Sequence, residues 1–363
     1  MNPDTPMNAV PATQFNRRNF LKGAGSLPLA AAATATGIGH VAYAAVPQAA
    51  APQATSPAVP QPAPAADGKP LPIVRAGKGP FLKTSVNAYS FTKLLNMKMK
   101  HHKEGMDLYD VVDFCALHNI DAFDATGYFF PDYPTPPTDK YINELKLHAF
   151  ESGVAISGSG VRNNFTVADK DKRQADVENI KMWVEIASQL GAPVLRVFAD
   201  TQMRDMHWQD VSPGKTHAQV AAAIADNLKE CAEHGEKHGV VIGVQNHGDF
   251  LKTAEDQLEL IGLVGSKWCG AIVDTGYYMT TDPYIDMQKV APYAVNWQIK
   301  KSAFGAASPI PIDMNRLMHI IKASGYRGYI PIETLSVAGQ DYDPFTVVPA
   351  FIDQVRAAMT NVA

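Results

Sequence analysis

Four oxygen-bearing side chains each stand at the end of a short apolar run, and together they have the composition of a divalent-metal site. Gln245 ends VVIGVQ, Asp274 ends AIVD, Gln298 ends AVNWQ and Glu333 ends YIPIE. Successive members are roughly 30 residues apart, which is the length of one unit in a closed eight-unit barrel. Carboxylate and amide oxygens are hard ligands, so the set predicts Mn, Mg or Ca rather than Zn.

Two further polar residues lie beside these run ends. Side chains alternate across a strand, so His247 shares a face with Gln245, and Lys300 shares one with Gln298. Together with a metal and Glu333 as the base, they can polarise a carbonyl group and remove the adjacent proton. Glu333, Lys300 and His247 are therefore the predicted catalytic residues. His247 and Lys300 are also predicted to contact the substrate.

Two residues on earlier strands complete the predicted substrate-binding set. Asn163 follows predicted strand three, residues 154–159, and Arg196 lies within predicted strand four, residues 194–198. The fixed fork of donors on an arginine suits a substrate with hydroxyl groups or a carboxylate.

Alternating strands and helices must position these side chains. The other predicted elements are strands at 83–91 and 122–128 and helices at 106–118, 139–151, 170–190 and 217–238. This alternation indicates a parallel sheet. Eight units with no glycine-rich phosphate loop after strand one favour the α/β class, as a single (β/α)8 TIM barrel over residues 80–363.

The first 44 residues have the features of an export signal. A twin arginine, Arg17-Arg18, precedes a weakly apolar stretch that ends in Ala42-Tyr43-Ala44, a small-x-small pattern. This arrangement is typical of a twin-arginine signal peptide cleaved near Ala44. It predicts the twin-arginine export machinery as a partner and a periplasmic or otherwise exported location. The stretch is rich in Ala, Gly and Thr, which disfavours a stable membrane span.

Composition indicates a linker and argues against several classes of binding site. Residues 45–79 are rich in Pro and Ala, which predicts a disordered, extended linker. A net charge of −4 gives no general attraction to nucleic acid. The three cysteines are an odd number at wide spacings, which suggests neither a disulfide framework nor a zinc ribbon.

The segments QNHGD, IVDTGYY, NWQIKK and IPIET resemble those of the xylose isomerase-like TIM-barrel superfamily, also called sugar phosphate isomerases/epimerases. The resemblance covers about residues 80–360. It implies metal ligands at Gln245, Asp274, Gln298 and Glu333, where the family usually has Glu, Asp, His and Glu. It also implies that Arg196 points inward and contacts substrate oxygens. Two ligand positions thus depart from the family pattern, and Gln245 cannot act as the second base of an epimerase.

The leading hypothesis is a divalent metal-dependent, sugar isomerase/epimerase-like enzyme that acts on a sugar or keto-sugar through an enediolate. A keto-glycoside lyase or hydratase is the close alternative, because a one-base site suits elimination. A non-catalytic sugar-binding barrel would also explain the two missing ligands. Endonuclease activity, known in a branch of the superfamily, is disfavoured by the net charge of −4. The oligomeric state, a homo-oligomer included, is left open.

Overall fold

Eight parallel strands build the core of the molecule. The structure, a computed structural model, describes residues 70–77, 79–200, 207–337 and 339–362. Within these ranges the strands lie in the order β7-β6-β5-β4-β3-β2-β1-β8. They are β1 (Phe81–Asn87), β2 (Ala122–Thr126), β3 (Ala155–Gly160), β4 (Val194–Phe198), β5 (Val241–Gln245), β6 (Cys269–Asp274), β7 (Ala294–Gln298) and β8 (Arg327–Ile332).

Bonds between the ends of β7 and β8 close the ring. Ile299 pairs in parallel with Ile332. The Ile299 amide donates a hydrogen bond to the carbonyl of Pro331 (2.8 Å), and its carbonyl accepts one from the amide of Glu333 (2.8 Å). The predicted (β/α)8 TIM barrel is therefore confirmed.

Helices cover the outside of the barrel. Among the described residues they are α1 (Thr92–Met99), α2 (Leu108–Leu117), α3 (Asp139–Glu151), α4 (Lys170–Leu190), α5 (Trp208–Val211), α6 (His217–His238), α7 (Ala254–Val264), α8 (Pro283–Val290), α9 (Met314–Ala323) and α10 (Pro344–Asn361). Thr216 and Thr253 form capping boxes at the starts of α6 and α7. Gly239 ends α6 with a φ of 72°, a left-handed conformation that glycine adopts without strain.

The first two strands are shorter than predicted. β1 ends at Asn87 because the Asn87 side chain accepts a hydrogen bond from the amide of Tyr89 (2.8 Å), and Ala88–Phe91 turn into a 3-10 helix. β2 likewise gives way to a 3-10 helix at Gly127–Phe129. The predicted ends of these strands were therefore wrong. The helices predicted at 139–151, 170–190 and 217–238 agree with α3, α4 and α6.

Residues 70–77 run past the amino-terminal ends of β7 and β8. The Ile73 amide donates to the carbonyl of Pro292 (3.0 Å), and the Arg75 guanidinium lies 4.9 Å from the ring centre of Tyr326. Part of the predicted linker thus contacts the barrel, and the boundary at residue 80 stays a prediction. The predicted signal peptide and most of the linker lie outside the described residues. No helix in the described ranges has both the length and the apolar character to cross a membrane.

Close packing at the end of α6 gives the first testable prediction. A Cβ at Gly235 would lie 2.3 Å from the backbone oxygen of Val240. We expect Gly235→Ala to lower the free energy of unfolding by about 1–3 kcal/mol, because the backbone must shift to relieve the overlap. The control is Lys237, an exposed residue on the same helix. Lys237→Ala should change the free energy of unfolding by less than about 0.5 kcal/mol. Urea unfolding measures both, and equal effects would contradict the packing argument.

Candidate active site at the barrel mouth

The four predicted metal-site residues meet at the carboxyl ends of β5 to β8. Gln245, Asp274 and Gln298 are the last residues of their strands, and Glu333 directly follows β8. Nε2 of Gln245 donates a hydrogen bond to Oδ2 of Asp274 (2.5 Å), and Nε2 of Gln298 donates to Oε2 of Glu333. All four side chains are buried. The structure therefore brings this predicted set together.

Hydrogen bonds to the backbone hold these strand ends in register. The Asn246 side chain donates to the carbonyl of Asp274 (2.9 Å) and accepts from its amide (2.7 Å), as a neighbouring strand would. The Thr275 amide donates to the carbonyl of Gln298 (3.0 Å). The Thr275 hydroxyl accepts from the amide of Lys300 (2.8 Å). The side chains at the mouth thus project from a backbone whose polar groups are paired.

Lys300 lies between the two carboxylates. Its Nζ is 3.4 Å from Oδ2 of Asp274 and forms an ion pair with Oε1 of Glu333. Burial alone would lower the pKa of Lys300, but the charges of Asp274 and Glu333 outweigh burial and raise the pKa above its ordinary value. Burial raises the pKa of Asp274 to about 6, against the opposing charge of Lys300. Lys300 is therefore a fixed positive charge inside the cluster.

The orientation of these groups decides whether a metal fits. A glutamine side chain donates at its nitrogen and accepts at its oxygen, and both glutamines turn the nitrogen toward a carboxylate. The oxygens of Asp274 and Glu333 therefore face N–H donors, whereas Mg and Ca are held by a shell of oxygens. In this arrangement the residues do not fit a divalent ion. Metal ligation by Gln245, Asp274, Gln298 and Glu333 stays a prediction.

His247 lies between two aromatic rings at the cavity. It stacks on Tyr277, with ring centroids 4.1 Å apart, and its centroid is 4.7 Å from that of Phe198. Burial and the charges of Lys300 and Arg196 lower the pKa of His247 well below its ordinary value, so the ring is neutral. Its buried Nδ1 has no hydrogen-bond partner among the described residues. His247 lines the cavity.

Arg196 points from β4 into the same cavity. Its guanidinium donates to the hydroxyl of Tyr128, and its Cζ lies 4.2 Å from the ring centre of Phe198. A Cβ at Gly160 would lie 2.5 Å from the guanidinium, so glycine leaves the room that Arg196 needs. Arg196 therefore lines the cavity, and its contact with a substrate stays a prediction.

Asn163 lies elsewhere. Its side chain donates to the carbonyl of Phe198 (2.7 Å) and accepts from the amide of Phe198 (2.9 Å), which ties the loop after β3 to the end of β4. It does not line the cavity, whereas its neighbours Arg162 and Asn164 do. Asn163 therefore ties the loop to β4, and its predicted contact with a substrate stays a prediction.

The cavity has a volume of about 720 Å³, within the range typical of small-molecule sites. Besides His247, Lys300, Arg196 and Glu333, it is lined by Tyr128 and Tyr277, which the sequence reasoning missed. Each tyrosine follows a strand end and a glycine, in DATGY and DTGYY. The shared sequence Thr-Gly-Tyr at a strand end could therefore have identified both tyrosines.

A separate group of potential metal ligands lies on the outer wall. Glu185 on α4 and His234 and His238 on α6 have ligand atoms within 4.8 Å of one another. Nε2 of His234 is 3.1 Å from Oε1 of Glu185. None of the three lines the cavity. In the described ranges this is the one such group of three His, Cys, Asp or Glu residues.

The side chain of Asn246 gives a test of how the mouth is held. We expect Asn246→Ala to lower the free energy of unfolding by at least about 2 kcal/mol, because two buried backbone groups of Asp274 lose their partners at about 1–3 kcal/mol each. The control is Asn143→Ala at an exposed position of α3, with an effect below about 0.5 kcal/mol. Urea unfolding followed by circular dichroism measures both. A loss at Asn246 as small as the control would contradict the assigned role.

Solved structures of other proteins share this fold. D-psicose 3-epimerase from Clostridium cellulolyticum H10, in complex with D-tagatose, superimposes with a TM-score of 0.63 at 13% identity, covering 76% of this chain and 99% of that one. The 3-keto-D-glucoside 4-epimerase YcjR from E. coli superimposes with a TM-score of 0.59 at 14% identity, covering 77% of this chain and 99% of that one. The IolI protein, solved with a zinc atom, superimposes with a TM-score of 0.57 at 13% identity, covering 77% of this chain and 97% of that one. At such identities the likeness establishes the fold.

Sequence comparison gives the family. No curated protein matches the chain significantly. The family described as "Xylose isomerase-like TIM barrel" matches residues 112–345, a stretch that contains all four residues of the predicted metal site. The match spans more than half of the sequence and agrees with the eight-stranded barrel. The chain belongs to the xylose isomerase-like TIM barrel family.

Proposed function

We propose that this protein is an exported enzyme that removes the proton next to the carbonyl group of a sugar or keto-sugar, as a sugar isomerase or epimerase does. One observation carries the proposal. The Glu333 carboxylate is held by Lys300 and Gln298 at the wall of a cavity of about 720 Å³. The structural likeness to D-psicose 3-epimerase and to 3-keto-D-glucoside 4-epimerase supports a sugar as the substrate.

The lining of the cavity suits a carbohydrate. The rings of Tyr128 and Tyr277 offer flat apolar surface to the C–H faces of a sugar. Arg196 and His247, which line the cavity, supply polar side chains that can bond to hydroxyl groups. Because phosphorylated sugars are scarce outside the cytoplasm, the proposed export favours a neutral or oxidised sugar.

The proposed reaction uses one base. Glu333 takes the proton from the carbon beside the carbonyl, and the electron pair moves onto the carbonyl oxygen to give an enediolate. Both Glu333 oxygens accept a hydrogen bond, but each carboxylate oxygen has two lone pairs, so one remains for the proton. Return of the proton to the former carbonyl carbon, while the proton of the adjacent hydroxyl group passes to the former carbonyl oxygen, completes an isomerisation. Gln245 cannot supply a second base on the opposite face.

A keto-glycoside lyase or hydratase is the second candidate. The same proton removal, followed by expulsion of a group on the next carbon, gives an unsaturated keto-sugar. The glutamine at position 245 favours this reaction because elimination needs no base on the other face of the sugar. A non-catalytic sugar-binding barrel is the third candidate. Divalent-metal dependence is supported by the zinc in the similar IolI structure and opposed by the N–H donors on both carboxylates.

Proton exchange in D₂O tests the base. We expect Glu333→Gln to slow deuterium incorporation beside the carbonyl of a 3-keto-glucoside or a ketohexose by about 10²–10⁴-fold, because an amide cannot accept the proton. His148→Ala is the control, since His148 lies on α3 and contacts Asp113 rather than the cavity. Proton NMR follows the exchange. Equal rates in the two variants would remove Glu333 from the mechanism.

The same assay separates the candidates. Exchange with retention of the sugar skeleton indicates isomerisation or epimerisation, whereas release of the aglycone of a 3-keto-glucoside indicates a lyase. Sugar binding with no exchange on either substrate indicates the non-catalytic barrel.

Export is tested on the mature amino terminus. We expect protein recovered from the periplasm of a bacterium with a twin-arginine system to begin near Ala45, because cleavage follows Ala42-Tyr43-Ala44. Replacing Arg17-Arg18 with Lys-Lys should keep the chain in the cytoplasm with Met1 intact. Edman sequencing identifies the amino-terminal residue of the wild-type protein and of the variant. An intact Met1 on the exported wild-type protein would contradict the proposed signal.

A further inference from the structure

Side-chain donors pair with both carboxylates of the mouth cluster, which comprises Gln245, Asp274, Gln298, Lys300 and Glu333. Gln245 and Gln298 each donate a hydrogen bond to one carboxylate, and Lys300 reaches both Asp274 and Glu333. Two negative groups are thus matched by one buried ammonium and two amide donors. To present ligand oxygens instead, both amides would have to turn over and give up these bonds.

The position of Lys300 is built into the backbone. A Cβ at Gly276 would lie 2.8 Å from Cγ of Lys300, so glycine leaves space for the lysine stem. The Thr275 hydroxyl accepts the Lys300 amide, and Nζ lies 5.6 Å from the ring centre of Tyr277. Only 5% of the side chain is exposed. Lys300 is therefore a component of the site and not a mobile charge at its rim.

An ammonium and a divalent ion would compete at this place. Each is attracted by the same two carboxylates, and the two cations repel each other strongly in a buried site. The glutamines at positions 245 and 298 offer a divalent ion only neutral ligands, and their N–H groups already satisfy the carboxylates.

We propose that the Lys300 ammonium replaces a divalent ion as the charge that stabilises the enediolate, and that the enzyme works without a metal at the mouth. This inference rests on the proposed function and specifies how its site operates. Lys300 donates a hydrogen bond to the developing oxyanion while Glu333, beside it, takes the proton.

Mn²⁺ titration tests the proposal independently of activity. The protein is used in a His234→Ala/His238→Ala background, so that the outer-wall cluster cannot bind the added ion. We expect no loss of the free Mn²⁺ signal in electron paramagnetic resonance when Mn²⁺ is titrated into a comparable concentration of this protein. A second protein adds Gln245→Glu, Gln298→His and Lys300→Met, which supplies the family's ligand types and removes the ammonium. We expect it to bind one Mn²⁺.

Two results would overturn the proposal. One is stoichiometric Mn²⁺ binding by the background protein that is lost on Asp274→Asn. The other is a failure of the second protein, folded by circular dichroism, to bind Mn²⁺, because the cluster would then not be a metal site filled by a lysine. Both readouts stand even if no sugar is turned over, so they separate this inference from the proposed function.

Where turnover is found, chelation and two variants extend the test. EDTA should leave the exchange rate within about twofold, and Lys300→Met should lower it by 10²-fold or more. Gly276→Ala should also lower the rate while Lys300 keeps its charge, because the added methyl group displaces the lysine stem. Loss of exchange in EDTA that Mn²⁺ restores would overturn the inference while leaving the proposed function in place.

Discussion

A buried contact between one ammonium and two carboxylates dominates the barrel mouth. Lys300 lies against Asp274 and Glu333, and the glutamines beside them donate to the same two carboxylates. Charged groups are costly to bury unless they are paired and hydrogen-bonded. Loss of any one member would leave the others uncompensated, so the identity of each residue constrains the rest. The site is best understood as one interdependent unit.

The barrel supplies the rigidity that this contact requires. Asn246 and Thr275 bond to the backbone at the ends of β6 and β7, and Ile299 joins β7 to β8 next to Glu333. The fold is shared with sugar epimerases, but a fold supports many chemistries, and the function follows from the groups at the mouth. In this chain those groups include two glutamines that donate to the carboxylates.

Sequence reasoning located the cluster because strand ends are marked by an abrupt change from apolar to polar residues. Gln245, Asp274, Gln298 and Glu333 each follow such a change, and parallel strands bring their ends to one face. The direction in which an amide turns is invisible in a sequence, so the donor role of the glutamines and the central place of Lys300 were missed. The sequence also does not distinguish which of the adjacent residues 162–164 line the cavity, and the Asn163 side chain bonds to the backbone of Phe198.

The most direct test of the central claim is a crystal structure of the protein soaked in MnCl₂, with anomalous data collected at the manganese edge. The account predicts no anomalous peak between Asp274 and Glu333, and density for the Lys300 side chain reaching both carboxylates. A strong peak at that point, with Lys300 turned away and the oxygens of Gln245 and Gln298 facing the ion, would contradict it.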